Sequence, residues 1–109
     1  MKFQKYDIVL TRFPFTDLTA TKKRPAVVIK DLEGDNSILC QITTKRHTLP
    51  KYEVSLKKEQ CDGDIRFDSY IYVDIIATLY KGIIERKIGF IKDNAIKKDI
   101  NEKLRLLLQ

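Results

Sequence analysis

The sequence predicts a mainly β protein, with a small, strongly bent antiparallel sheet or partly open barrel and one helix at the C-terminal end. Three observations lead to this prediction. Short runs rich in β-branched residues recur at close spacing, turn-forming residues separate them, and beyond residue 93 the apolar period changes from two to about 3.6. The length of 109 residues predicts a single domain over residues 1–109.

The apolar runs predict six or seven short strands, of which six can be placed in chain order. Alternating or β-branched residues place them at 8–10, 26–29, 37–43, 52–56, 69–79 and 83–89. Residues 31–36 and 57–64 are charged and contain Gly34 and Gly63, which predicts turns. Residues 77–82 are predicted to form a helical turn that Gly82 closes.

A helix is predicted from Asp93 onward, with Asp93 or Asn94 as its N-cap. Its apolar residues fall on one stripe that would cover one side of the sheet. These are Ile96, Ile100, Leu104, Leu107 and Leu108. The residues expected to face water are Lys97, Lys98, Glu102, Lys103 and Arg105.

Composition and motifs limit the classes of function that this chain can have. The net charge of +6 favours polyanionic partners, although a merely solvated surface explains it equally well. No apolar run approaches the roughly 18 residues that cross a bilayer, and the polar start MKFQKYDIVL lacks a signal-peptide core, so no membrane association and a cytoplasmic location are expected. Phosphate-loop, GxSxG, HExxH and zinc patterns are absent, so no cofactor or metal is predicted. Cys40 and Cys61 are interpreted as reduced structural residues.

A long polar and basic loop joins the first two strands. Pro14 and Pro25 lack an N–H and favour extended geometry before them, so the loop should be partly stiff and Arg24 should lie at the start of a strand. A loop of this length in a small domain suggests a binding role.

Three segments together resemble the PemK/MazF family of bacterial toxins, which cut single-stranded RNA. They are IVLTRFPFTDLTATKKRPAVVI, LCQIT and IYVDIIATLYKGII. The resemblance covers nearly the whole chain and implies an SH3-like barrel, similar to those of MazF and CcdB toxins, that works as a homodimer. It departs from the family at Lys23, where relatives often have glycine before the Arg-Pro pair.

The resemblance implies two catalytic residues, Arg24 of the "RP" motif and Thr43 of "QIT". A guanidinium can bind two phosphate oxygens through its planar fork, and a hydroxyl can orient the 2′-OH of the RNA. From the residues alone, Arg24 would more readily pair with an acidic side chain, and Thr43 is common in strands. An error of one residue in register would exchange Thr43 for Thr44.

Eight residues on the two loops that flank these positions are predicted to bind RNA. They are Phe15, Thr16, Lys22, Lys23, Thr44, Lys45, Arg46 and His47. His47 could serve as a general base, but an exposed histidine that contacts RNA or nothing is favoured. Phe13 is assigned to the core, and Asp17 to a structural role beside Arg24.

The predicted function is a metal-independent, sequence-selective endoribonuclease that leaves 2′,3′-cyclic phosphate and 5′-OH ends. The resemblance also implies a cognate antitoxin protein whose extended tail would fill the basic groove. Two alternatives remain open. One is a binding module of the same fold that inhibits a protein such as DNA gyrase, as CcdB toxins do, and the other is an RNA-binding relative without cleavage.

Overall fold

The computed structural model describes residues 2–12 and 23–109 of the chain. Within these ranges seven strands form one antiparallel sheet, followed by one α-helix. The elements are β1 (Asp7–Thr11), β2 (Arg24–Asp31), β3 (Asn36–Thr43), β4 (Glu53–Leu56), β5 (Cys61–Gly63), β6 (Ser69–Tyr80), β7 (Ile84–Ile91) and α1 (Asn94–Leu107). The sheet order is β4-β6-β3-β2-β1-β7-β5.

Successive side chains of the central strands alternate between two apolar cores. In β2, Val27 packs in the larger core with Ile100 and Leu104 of the helix, whereas Ala26 and Val28 pack in a smaller core. The apolar runs are nearly continuous because both faces of the central strands are buried. This arrangement confirms the predicted mainly β fold.

The sheet is curled into a half-barrel, and the connection between β4 and β5 shows why it must be. These strands lie at opposite edges of the sheet, six strand spacings apart, or about 29 Å if the sheet were flat. The chain passes from Leu56 to Cys61 in five steps, which span at most about 18 Å. The two edges are therefore brought together, and Leu56 and Cys61 share the larger core.

Helix α1 begins as predicted, because the Asp93 carboxylate accepts a hydrogen bond from the backbone N–H of Ile96 at 3.0 Å. Its buried face packs on β4 and β6. The predicted stripe is wrong at its end, where Leu108 is 74% exposed. Lys103 is half-buried because its ammonium donates to the Glu53 carbonyl. In the parts of the chain that the structure describes, no helix is long and apolar enough to span a membrane.

Two local predictions are wrong. Residues 57–64, predicted as a turn, contain a 3-10 helix (Lys58–Gln60) and the three-residue edge strand β5, whose sequence CDG carries little strand signal. The helical turn predicted at 77–82 lies later, as a 3-10 helix at Lys81–Ile83, because β6 continues to Tyr80 by pairing with β3.

Candidate active site

A cavity of about 360 Å³ opens where β2 begins and β3 ends, and Arg24 and Thr43 both line it. Its apolar lining comes from β1, β3, β4 and β7, together with Pro25, Ile65 and Phe67. The described lining residues are Ile8, Leu10, Arg24, Pro25, Ile42, Thr43, Thr44, Leu56, Asp64, Ile65, Arg66, Phe67, Ser69, Arg86 and Ile88.

Strand register explains why Arg24 and Thr43 meet, although 19 positions separate them. Strands β2 and β3 are antiparallel neighbours with Ala26 opposite Gln41, and the same register extended by two residues sets Arg24 opposite Thr43. Pro25 lies near the start of its strand, before the pairing of β2 with β3 begins at Ala26. Both side chains are half-buried, and both reach the cavity.

Thr43 and Thr44 differ in their surroundings. Thr43 is the last residue of β3, and its hydroxyl oxygen accepts a hydrogen bond from the backbone N–H of Lys45 at 3.3 Å. Thr44 follows the strand and is exposed. Both residues line the cavity, so the structure keeps both as candidates for the site.

Lys23, beside Arg24 in the chain, is engaged with an acidic neighbour. Its ammonium lies 2.7 Å from the Glu85 carboxylate. This hydrogen bond lowers the pKa of Glu85, and the positive charges of Lys23, Arg86 and Arg12 lower it further. Glu85 thus organises a cluster of cations next to the cavity.

The other predicted RNA-binding residues lie on the loop between β3 and β4, which is tied down by carboxylates. The Arg46 guanidinium binds Glu53 at 3.1 Å and covers the ring of Tyr70. The N–H of His47 donates to Glu53 at 2.7 Å, and this bond is the main reason why the pKa of Glu53 is lowered, with Arg46 adding to the effect. Lys45 is exposed, and its carbonyl accepts from the Tyr72 hydroxyl.

The expectation of an exposed His47 is wrong, because its side chain is only 10% exposed. The ring Nε2 lies 2.9 Å from both carboxylate oxygens of Asp74, Nδ1 accepts from the N–H of Leu49, and the ring packs against Tyr72. These contacts give His47 a role in fixing the loop. The RNA contact predicted for it stays a prediction.

Several predictions fall outside the described residues. These are the RNA-binding roles of Phe15, Thr16 and Lys22, the core position of Phe13 and the structural role of Asp17.

The cavity lining also includes residues that the sequence patterns did not indicate, among them Arg66, Phe67 and Arg86. Arg86 could have been found from the alternation of β7, whereas Arg66 and Phe67 follow the unpredicted β5. The charged residues among the described lining are three arginines and one aspartate, so the cavity attracts anions. Asp64 is paired with Arg66 at 2.9 Å. Within residues 2–12 and 23–109, no group of three or more His, Cys, Asp or Glu residues is placed to hold a metal ion.

Comparison with known proteins agrees with the family resemblance seen in the sequence. The family model of PemK-like, MazF-like toxins of type II toxin-antitoxin systems matches residues 4–108. No match was found among curated protein sequences.

Solved structures share the fold at low sequence identity. An endoribonuclease in complex with its cognate antitoxin, from a mycobacterial species, superimposes with a TM-score of 0.74 at 17% identity, covering 98% of this chain and 95% of its own. The Mycobacterium tuberculosis toxin MazF-mt6 superimposes with a TM-score of 0.72 at 17% identity, covering 94% of this chain and 95% of its own. A chain of MazE-MazF from Deinococcus radiodurans superimposes with a TM-score of 0.71 at 16% identity, covering 95% of this chain and 92% of its own.

Proposed function

We propose that this chain, which belongs to the PemK-like, MazF-like toxins of type II toxin-antitoxin systems, is a metal-independent, sequence-selective endoribonuclease that acts on single-stranded RNA. A similar fold in a protein described as an endoribonuclease supports this proposal. The observation that carries it is the position of Arg24 and Thr43 at one cavity with a positively charged lining.

The proposed reaction uses a nucleophile that the RNA supplies. The 2′-oxygen attacks the adjacent phosphorus and gives up its proton to a base, while the bond from phosphorus to the 5′-oxygen breaks. The departing 5′-oxygen takes up a proton, which leaves a 2′,3′-cyclic phosphate and a 5′-OH. Negative charge gathers on the phosphoryl oxygens in the transition state, so a preorganised cation there lowers the barrier.

In this scheme Arg24 and Thr43 have different tasks. The Arg24 guanidinium donates to the phosphoryl oxygens through its planar fork. The Thr43 hydroxyl, which already accepts from the N–H of Lys45, keeps its own proton to donate to the RNA. The apolar surface of Ile8, Leu10 and Ile42 beneath them strengthens these charge interactions by excluding water.

The test is cleavage of single-stranded RNA in the presence of EDTA. We expect Arg24→Ala and Thr43→Ala each to reduce kcat by about 100-fold or more, as the loss of one transition-state donor does. Circular dichroism and thermal unfolding show whether both variants fold. Lys98→Ala, an exposed substitution on α1, is the matched control and should cleave like the wild type.

Normal cleavage by both folded variants would reject this site. Intact RNA with the wild-type chain, together with trapped complexes of gyrase and cleaved DNA, would favour the CcdB-like alternative instead.

The proposal includes two protein partners. The neighbours from Deinococcus radiodurans and a mycobacterial species were solved with an antitoxin, and the basic cavity here would suit an acidic antitoxin tail. A homodimer in the cytoplasm is the remaining part of the proposal. Size-exclusion chromatography with light scattering tests the dimer.

A further inference from the structure

Among the described residues that line the cavity, Phe67 is the most exposed large apolar residue, with 71% of its surface accessible. Phenylalanine belongs among the residue types most often buried, so an exposed ring at the cavity leaves its face accessible to a ligand. The structure offers no role for Phe67 in either apolar core, since neither core includes it.

The segment that carries Phe67 crosses from the edge strand β5 to β6, the neighbour of the opposite edge strand β4. It runs from β5 to β6, and three of its residues, Ile65, Arg66 and Phe67, line the cavity. Arg24 and Thr43 belong to the central strands β2 and β3, so the crossing segment and the proposed catalytic pair border the same space.

Hydrogen bonds hold this segment at both ends. At one end the N–H of Asp64 donates to the Ile88 carbonyl at 2.8 Å, and at the other the Asp68 carboxylate accepts from the N–H of Lys58 at 2.9 Å. The Asp64 carboxylate also binds Arg66 Nε at 2.9 Å. Phe67 is therefore presented from an anchored segment, which reduces the ordering entropy that a ligand must overcome.

We propose that Phe67 is the stacking platform for the base of a nucleotide that flanks the scissile phosphate, and thereby contributes to the selection of the cleaved sequence. This inference rests on the proposed function, because it requires RNA at the same cavity. Unpaired bases of single-stranded RNA are commonly recognised by stacking on aromatic side chains. Arg66, exposed beside Phe67, adds positive charge on the path of the adjoining phosphate.

The stacking can be measured directly because the sequence contains no tryptophan. In Phe67→Trp, the introduced indole is the sole tryptophan, and its emission reports contact with a base. The probe is a single-stranded oligoribonucleotide that the wild-type chain cleaves, made resistant by a 2′-deoxy group at the cleaved nucleotide. Leu106→Trp, at an exposed position on α1, is the matched control.

We expect RNA to quench the emission of the F67W variant and to leave that of L106W unchanged. An abasic nucleotide in place of the stacked one should abolish the quenching. Phe67→Ala should raise KM about 10-fold with kcat nearly retained, in line with the contribution of a single stacked base. Phe67→Trp keeps an aromatic ring, so it should keep the wild-type KM for the probe sequence while the ranking of substrates that differ in the flanking base shifts.

An F67W emission that does not respond to RNA, together with a wild-type KM for F67A, would overturn the inference while leaving cleavage by Arg24 and Thr43 in place. Phe67 would then belong to a protein-binding surface. Failure of the wild-type chain to cleave or bind any RNA would overturn both proposals.

Discussion

The Asp31 carboxylate joins three separate parts of the chain. It lies 2.6 Å from the ammonium of Lys81, and it accepts from the N–H groups of Glu33 and Phe3 at 2.9 Å each. The bond from Lys81 is the largest cause that lowers the pKa of Asp31 from 3.8 to about 2, followed by the two backbone N–H groups. The ionised carboxylate therefore stabilises the meeting of the N-terminal segment, β2 and the turn after β6.

This depressed pKa predicts a specific pH dependence of stability. Since the folded pKa lies below the unfolded one, the stabilisation is complete above about pH 4 and is lost as the pH falls toward about 2. Asp31→Asn should lower the free energy of unfolding near neutral pH, and its difference from the wild type should shrink over that window. Urea unfolding at a series of pH values measures this difference in the free energy of unfolding. A difference that does not change with pH would contradict the lowered pKa of Asp31.

Individual residues were predictable from the sequence where a local motif carried them. Two short motifs that resemble a family pointed to Arg24 and Thr43, and the register of β2 and β3 brings them to one cavity, while their catalytic roles stay predictions. The burial of His47 could not be predicted, because its partner Asp74 lies 27 positions away. The position of Phe67 at the cavity is likewise not visible in the sequence, because it depends on the pairing of β5 with the distant strand β7.

At the scale of elements, β5 and β7 approach each other at two glycines. A Cβ on Gly89 would lie 2.3 Å from the Asp62 carbonyl oxygen and 3.2 Å from the Ile65 side chain. Gly63, opposite Gly89, has φ +107°, a left-handed conformation that favours glycine. The edge strand can pair only because these two positions lack side chains.

Gly89→Ala should therefore displace β5 and Ile65, a residue of the cavity. We expect a loss of about 1–3 kcal/mol in the free energy of unfolding, typical of overpacking. Gly34→Ala is the control, because a Cβ there meets nothing within 4 Å. Equal free energies of unfolding for the two variants in urea would contradict this prediction, because β5 would then accommodate the added methyl group without loss of stability.

Strand pattern predicted the central elements well and the edges poorly. Strands β1, β2, β3 and β6 carry β-branched runs that supply both cores, so their period is visible in the sequence. Strand β5 buries mainly Cys61 and owes its existence to pairing with β7, a contact between distant segments.

For the molecule as a whole, the sequence indicated a bent sheet but did not determine the position of the cavity. The net charge of +6 likewise does not show where on the molecule the positive charges gather. The fold concentrates positive charge by placing Arg24, Arg66 and Arg86, from three distant segments, around one space. Such charge placement depends on tertiary structure, which no local pattern reveals.

This arrangement predicts how RNA affinity responds to salt. Each phosphate contact of a single strand contributes about 0.7 to the slope of log affinity against log salt concentration, so Arg86→Gln should reduce that slope by about 0.7. Lys98→Gln on α1 should leave it unchanged. Fluorescence anisotropy with the 2′-deoxy RNA provides the measurement, and identical slopes for all three proteins would place Arg86 away from the phosphates.

The four-residue connection between β4 and β5 also affects how the site can admit a polymer. Strand β4 pairs with β6 and β5 pairs with β7, and no ladder joins β4 to β5, so the half-barrel has a slit along which Leu56, Ile65 and Ser69 lie. The width of this slit is limited by covalent chain length. The chain crosses it at residues 57–60 and returns at residues 64–68, so covalent connections hold its two sides together where no strand pairing does.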